Sequence, residues 1–125
     1  MHTQQDLAAI RQERNMLFDF YGPMLTQKQA ACFTMRYIED CSLTEIAKEL
    51  GISPQAAVDF LKRAVERLER CEEQLGLVMK FAAKQALAQD VLEKLDEFEL
   101  LVGDGGRMKA LVQEIRAAID EMILD

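Results

Sequence analysis

Residues 42–64 read SLTEIAKELGISPQAAVDFLKRA, and a chain that holds this stretch has few ways to fold. Its spacing is that of two short helices crossing at close range about a tight turn, which requires small and apolar residues at fixed places. Each place is suitably filled. Ile46 and Leu50 face inward from the first helix, and Ala47 is small where the second helix passes over it. Gly51 supplies the positive φ of the turn, a geometry glycine adopts without steric cost. Ile52 plugs the corner, and Ala57, Leu61, Ala64 and Leu68 continue the buried stripe on the second helix. The segment is predicted to form a helix-turn-helix.

The rest of the chain reads as helix too. Half of its 125 residues are hydrophobic and 30% are charged, which argues against disorder. Good helix formers dominate, two prolines and six glycines interrupt them, and no stretch alternates like a strand. A first helix is expected from about Gln4 to Tyr21, with Leu7, Ile10, Leu17, Phe18 and Tyr21 on its apolar side, and Gly22-Pro23 stops it. Thr26 with Gln29 has the spacing of a capping box, and the helix it opens should end around Ile38–Glu39, with Phe33 and Tyr37 on one side. Ser42 with Glu45 repeats that spacing ahead of a helix over residues 43–50. Ser53 caps the next helix and Pro54 occupies its first turn, where a missing N–H costs nothing. No breaker follows until Gly76, which either ends or bends that helix.

From Leu77 to Val102 another helix is predicted, with Leu87, Val91, Leu95, Phe98 and Val102 as its stripe. The turn GDGG at residues 103–106 leads to a last helix, about Arg107 to Ile123, with Leu111, Ile115, Ala118 and Met122 on one side. The expected fold is therefore all-α: a helix-turn-helix domain over residues 1–76, then a C-terminal helical hairpin over residues 77–125. Neighbouring Leu92, Leu100 and Leu101 spread apolar residues beyond one face of the hairpin. Such helices need more than one neighbour, so residues 77–125 are expected to mediate a homodimer. The competing arrangement packs the hairpin on the first domain of its own chain.

On a wheel of 100° per residue, with Ala57 at the core, Gln55, Asp59, Lys62 and Glu66 point outward from the second motif helix. Val58 sits on the flank, and Arg63 follows Lys62. In a DNA groove Gln55 could pair with adenine, while Lys62 and Arg63 could reach phosphate. Asp59 and Glu66 would repel it. Over residues 54–75 four basic residues face five acidic ones, a net −1, where a DNA-reading helix usually carries a positive excess. The whole chain carries −7, a field that repels a polyanion at long range. Glu66–Arg70 and Asp59–Arg63 are spaced four apart, the order that favours mutual neutralisation on a helix. A solvated, self-neutralised face and a weak or partner-assisted DNA contact are the two readings of these positions.

Other chemistries lack their residues. There is no Gly-rich phosphate loop, no Ser-His-Asp arrangement, and Asp96 and Glu97 are adjacent on a helix rather than paired across a site. No catalytic residue is assigned and no cofactor is expected. Cys32, Cys41 and Cys71 are widely spaced and the one histidine is His2, so no metal site is expected either and the thiols should be free. The apolar runs are too short to span a bilayer and the N-terminus lacks the apolar run of a secretory leader, which together predict the cytoplasm.

Residues 17–29, LFDFYGPMLTQKQ, then Tyr37, Asp40, SLTEIAKELGIS and LKRAVERLERCEEQLGL (61–77), resemble the YlxM-like family of bacterial helix-turn-helix proteins over roughly residues 7–80. The resemblance implies a fold similar to region 4 of bacterial sigma factors, no enzymatic activity, and usual description as DNA-binding proteins. Genes of the family commonly lie beside those of the signal recognition particle or its receptor. That implies a regulatory link to co-translational targeting, with the particle's protein, its RNA or its receptor as partners. Lys62 and Arg63 match the family's basic pair. Ala30 and Pro54 stand where the family usually has a basic residue and an arginine, which weakens the implied DNA contact. A protein or ribonucleoprotein binding module and a sequence-specific transcriptional regulator are the two functions that follow.

Overall fold

The computed structural model describes residues 3–103 and 105–124, and among them all regular structure is helical. Six α-helices follow one another: α1 (Gln4–Tyr21), α2 (Gln27–Phe33), α3 (Leu43–Leu50), α4 (Pro54–Leu75), α5 (Leu77–Val102) and α6 (Gly106–Leu124). A 3₁₀ turn, Gly22–Met24, joins α1 to α2, and α2 runs on into a π-helical turn, Thr34–Ile38. The chain divides into two compact units, Met1–Val78 and Met79–Asp125.

Local chemistry sets the helix starts. Thr3, Thr26 and Ser42 each accept a backbone N–H three residues on, and Asp6, Gln29 and Glu45 bond back to close reciprocal boxes. Each box satisfies two N–H groups that the first turn leaves without partners. Ser53 accepts from the Ala56 N–H at 3.0 Å, and Pro54 follows at the first position. The helix ends are as distinct. Gly51 and Gly76 lie in the left-handed region at φ 66° and 62° and close α3 and α4. Gly76 therefore ends the long helix rather than bending it. Asp40 also sits at positive φ, 59°, the one non-glycine among the described residues to do so. Short polar side chains tolerate this region better than bulky ones, and its carboxylate pairs with Arg11 at 2.6 Å.

The core of the first unit has two clusters on opposite ends of one α4 stripe. Ala64, Leu68 and Cys71 of α4 pack with Leu17 and Tyr21 of α1 and Phe33 of α2. Phe33 stacks on Phe18 with centroids 4.7 Å apart and leans on Tyr37 at 4.8 Å. Ala57 and Leu61 pack with Cys32 and Ile46, and Leu50 and Ile52 border them. Alanines at 57 and 64 are fully buried, which lets the α2 and α3 backbones approach α4 closely. Each large buried side chain here contributes about 1.5–3 kcal/mol over an exposed one. Leu7 departs from the expected α1 stripe and stays exposed, because the neighbours of α1 cover only its C-terminal half.

Tyr21 ties the start of α5 into this unit. Its hydroxyl donates to Glu72 Oε1 at 2.6 Å and accepts the Leu77 N–H at 3.0 Å. The same Glu72 oxygen accepts the Val78 N–H at 3.0 Å. A carboxylate thus meets the donor end of α5, where the helix dipole favours negative charge. This is why the first unit extends through Val78, two residues past Gly76.

In the second unit α5 and α6 form an antiparallel hairpin. Arg116 of α6 donates to Glu99 at 3.1 Å and to Asp96, both on α5. Nearer the open end, Leu87 and Val91 share one concavity with Ile119 and Met122. The expected face of α6 is not the packed one. Leu111, Ile115, Ala118 and Met122 remain exposed, while Val112, Arg116, Ile119 and Ile123 form the more covered side. On α5 the expected stripe splits: Leu95 and Val102 are half-buried, and Leu87, Val91 and Phe98 are exposed.

Candidate functional site on the helix-turn-helix

Gly51 closes α3, and Ser53 and Pro54 start α4. With Ala57 and Leu61 fixed in the core, the wheel turns Gln55, Val58, Asp59, Lys62 and Arg63 outward, and all five are exposed. Ile46, Ala47, Ala57 and Leu61 are buried, and Leu50 and Ile52 are half-buried around Gly51. The Gly51 N–H bonds Ala47 O, and the Ile52 N–H bonds the same oxygen at 3.0 Å, which sets the turn between the helices.

The electrostatics of the face differ from the expectation in one respect. Among the described residues neither Asp59–Arg63 nor Glu66–Arg70 forms an ion pair. Exposed helix pairs are worth only a few tenths of a kcal/mol, too little to overcome the entropy of long side chains. Asp59 instead receives a long contact, 3.5 Å, from the Gln55 amide. The nitrogen that would pair with adenine therefore points along its own helix, toward the next turn. Lys62, Arg63, Arg67 and Arg70 are exposed without an ion-pair partner among the described residues.

Two residues join the face that sequence reasoning did not assign to it. Lys28, in the first turn of α2, holds its ammonium 6.0 Å from the centroid of the Phe60 ring. Phe60 lies with Ala56, Asp59 and Arg63 around a shallow hollow of about 180 Å³. A cation over an aromatic face is attracted by the ring quadrupole. The available signal was weak: Phe60 is the one aromatic of α4 and lies off the Ala57–Leu61 stripe, but only the crossing of α2 over α4 brings Lys28 to it.

The thiols lie away from this face. Cys32 and Cys71 are buried and Cys41 is half-buried, all three as free thiols. Burial raises the Cys32 thiol pKa, and burial followed by the nearby Glu45, Glu39, Asp40 and Glu49 raises that of Cys41. Among the described residues no three His, Cys, Asp or Glu side chains converge to hold a metal ion. No helix among them is long and apolar enough to cross a membrane.

A short helix, a glycine turn and a second helix with one side open to solvent, packed on α1 and α2, define a helix-turn-helix protein. Residues 9–102 match the family described as "Putative helix-turn-helix protein, YlxM / p13 like". The chain belongs to this family, UPF0122. UPF0122 proteins of Bacillus cereus (strain AH187), Bacillus anthracis (strain A0248) and Bacillus thuringiensis subsp. konkukian (strain 97-27) are each 41% identical to it over 101 residues. Those matches cover 81% of this chain and 89% of each relative. The family match runs through Val102 and so takes in all of α5, beyond the limit near residue 80 that the motifs alone suggested.

Proposed function

We propose that this chain is a non-enzymatic, regulatory helix-turn-helix protein of the signal recognition particle pathway, acting through protein or ribonucleoprotein contacts. One observation carries the first half of that reading: on the solvent-facing side of α4 the exposed bases Lys62, Arg63, Arg67 and Arg70 are matched by the exposed acids Asp59, Glu66, Glu69 and Glu73. Association with a duplex is driven by cations that release phosphate counterions, and a balanced face supplies little of that drive. The same face suits a basic protein surface, or an RNA held jointly with one. The pathway comes from the family resemblance.

Calorimetry of the full chain tests this against the particle's protein, its RNA, its receptor and a random duplex, each at several salt concentrations. Binding to one of the first three, with none to the duplex, supports the reading. No association with any of the three at any salt overturns it.

A second reading, a sequence-specific transcriptional regulator, is favoured by Lys62, Arg63, Arg67 and Arg70 standing on one helix with no ion-pair partner among the described residues. It predicts an enriched sequence in a selection from random DNA at low salt. It also predicts tighter binding by Pro54→Arg, which adds a cation at the first turn. A selection that enriches nothing eliminates it.

A further inference from the structure

Helix α5 leaves Leu87, Val91, Phe98 and Leu101 exposed, and these lie four, seven and three residues apart. Position 94 fills the missing step, so the run is 87, 91, 94, 98, 101, the alternating four–three spacing of a seam between helices. Helix α6 leaves Met108, Leu111, Ile115 and Met122 exposed. With Ala118 that run is 108, 111, 115, 118, 122, the same spacing again. Leu87 and Val91 share a concavity with Met122, so the two seams meet across the hairpin as one apolar face. Leu101 is 85% exposed and Leu87 66%. Lys94 interrupts the α5 seam, but its ammonium is held at 2.6 Å by Asp90, one turn back on the flank.

We propose that this face binds a second copy of the chain, so that two α5–α6 hairpins close into an antiparallel four-helix bundle. Two observations point to a copy rather than another occupant. The first is size: the eight exposed side chains leave on the order of 800 Å² of surface, the amount one partner contributes to a stable dimer. The second is charge. The N-terminal third of α5 carries Lys80 and Lys84 and no acid, while Asp90, Glu93, Asp96, Glu97 and Glu99 follow. Helix α6 likewise begins with Arg107 and Lys109 and carries Asp120 and Glu121 near its end. A two-fold axis across the bundle lays each helix antiparallel to its mate and sets basic ends against acidic ones. That is the self-complementarity an isologous interface requires. Parallel pairing would stack like charges. Four helices packed this way bury both seams, as in other helical bundles. The inference does not depend on which partner the helix-turn-helix binds.

Sedimentation equilibrium on the full chain is the test, with helicity followed by circular dichroism. The wild type is expected to be a dimer at micromolar concentration. Leu87→Glu with Leu101→Glu, at positions open to solvent in the single chain, should keep its helicity and weaken the dimer roughly 100-fold or more, since buried apolar anchors dominate such interfaces. Lys80→Glu with Lys84→Glu should weaken it at least about tenfold by setting acid against acid. A monomeric wild type at roughly 100 μM overturns the proposal, because the face is then left open or filled by something else. So does a double-glutamate variant that dimerises normally. Unchanged affinity after the lysine reversals overturns the antiparallel arrangement.

Discussion

Replacing Tyr21 by phenylalanine tests how the end of the first unit, Leu77 and Val78, is held to α1 and α4. Tyr21 is 2% exposed, and its ring packs in the α1–α2–α4 cluster, so phenylalanine fills the same space. What is lost is the hydroxyl, with its 2.6 Å bond to the Glu72 carboxylate and the 3.0 Å bond from the Leu77 N–H. A hydrogen bond to a charged group contributes about 1.5–3 kcal/mol. Leu77 is 41% exposed, so water can replace the partner of its N–H and that loss adds little. Glu72 keeps the Val78 N–H. The expected cost is therefore about 2 kcal/mol, or a Tm lower by about 10 °C for a unit of this size. Urea unfolding should show a lower midpoint with an unchanged slope, because the surface exposed on unfolding does not change. Combining Tyr21→Phe with Glu72→Gln should cost less than the sum of the single changes, by about 1 kcal/mol, as expected for groups in contact. A single-variant cost below about 0.5 kcal/mol would refute the argument that this bond fastens Leu77 and Val78 to the first unit, since that is the scale of an ordinary surface change. The pH dependence gives a second check. Burial first, and then the bond to Glu72, raise the Tyr21 pKa above its ordinary value of 10.0. Stability from this group is thus complete below pH 10 and is lost as pH rises through the folded-state pKa. The phenylalanine variant should lack that alkaline component.

Gly51→Ala forces a side chain into φ 66°, where no neighbouring atom obstructs it, so the cost is the backbone term alone, about 1 kcal/mol by thermal unfolding. Ser42→Ala removes the acceptor for the Glu45 N–H and should also cost about 1 kcal/mol in urea. Native protein at pH 8 should react slowly with iodoacetamide at all three thiols, Cys32 slowest, and react fully once unfolded; rapid alkylation of Cys32 in the folded state would contradict its complete burial.

Much of the helix-turn-helix was legible in the sequence because its signals are local. A serine or threonine three residues before Glu or Gln, a glycine at a helix end and a proline in a first turn act over one turn of chain, and they positioned α2, α3 and α4. The box of Thr3 with Asp6 carries a weaker sequence signal, since aspartate stands there in place of the usual Glu or Gln. The inward residues of α4 followed from period alone, because a single apolar stripe on a polar helix can turn only one way. The outer face of α4 was legible as positions but not as contacts. Whether Asp59 reaches Arg63 or receives Gln55 depends on rotamers whose energies differ by tenths of a kcal/mol. The approach of Lys28 to Phe60 depends on how two helices far apart in sequence cross.

The sequence by itself determined where the helices start and stop, and which side of α4 is core, since backbone hydrogen bonding and periodicity are properties of short segments. Only the tertiary structure decided which side of α6 turns to α5. Apolar residues lie on more than one side of both helices, so period alone leaves several packings equally satisfied. Val112, Ile119 and the pairing of Arg116 with Asp96 and Glu99 choose among them. The same holds for Tyr21 and Glu72, 51 residues apart, whose bond exists only once α1 lies against α4.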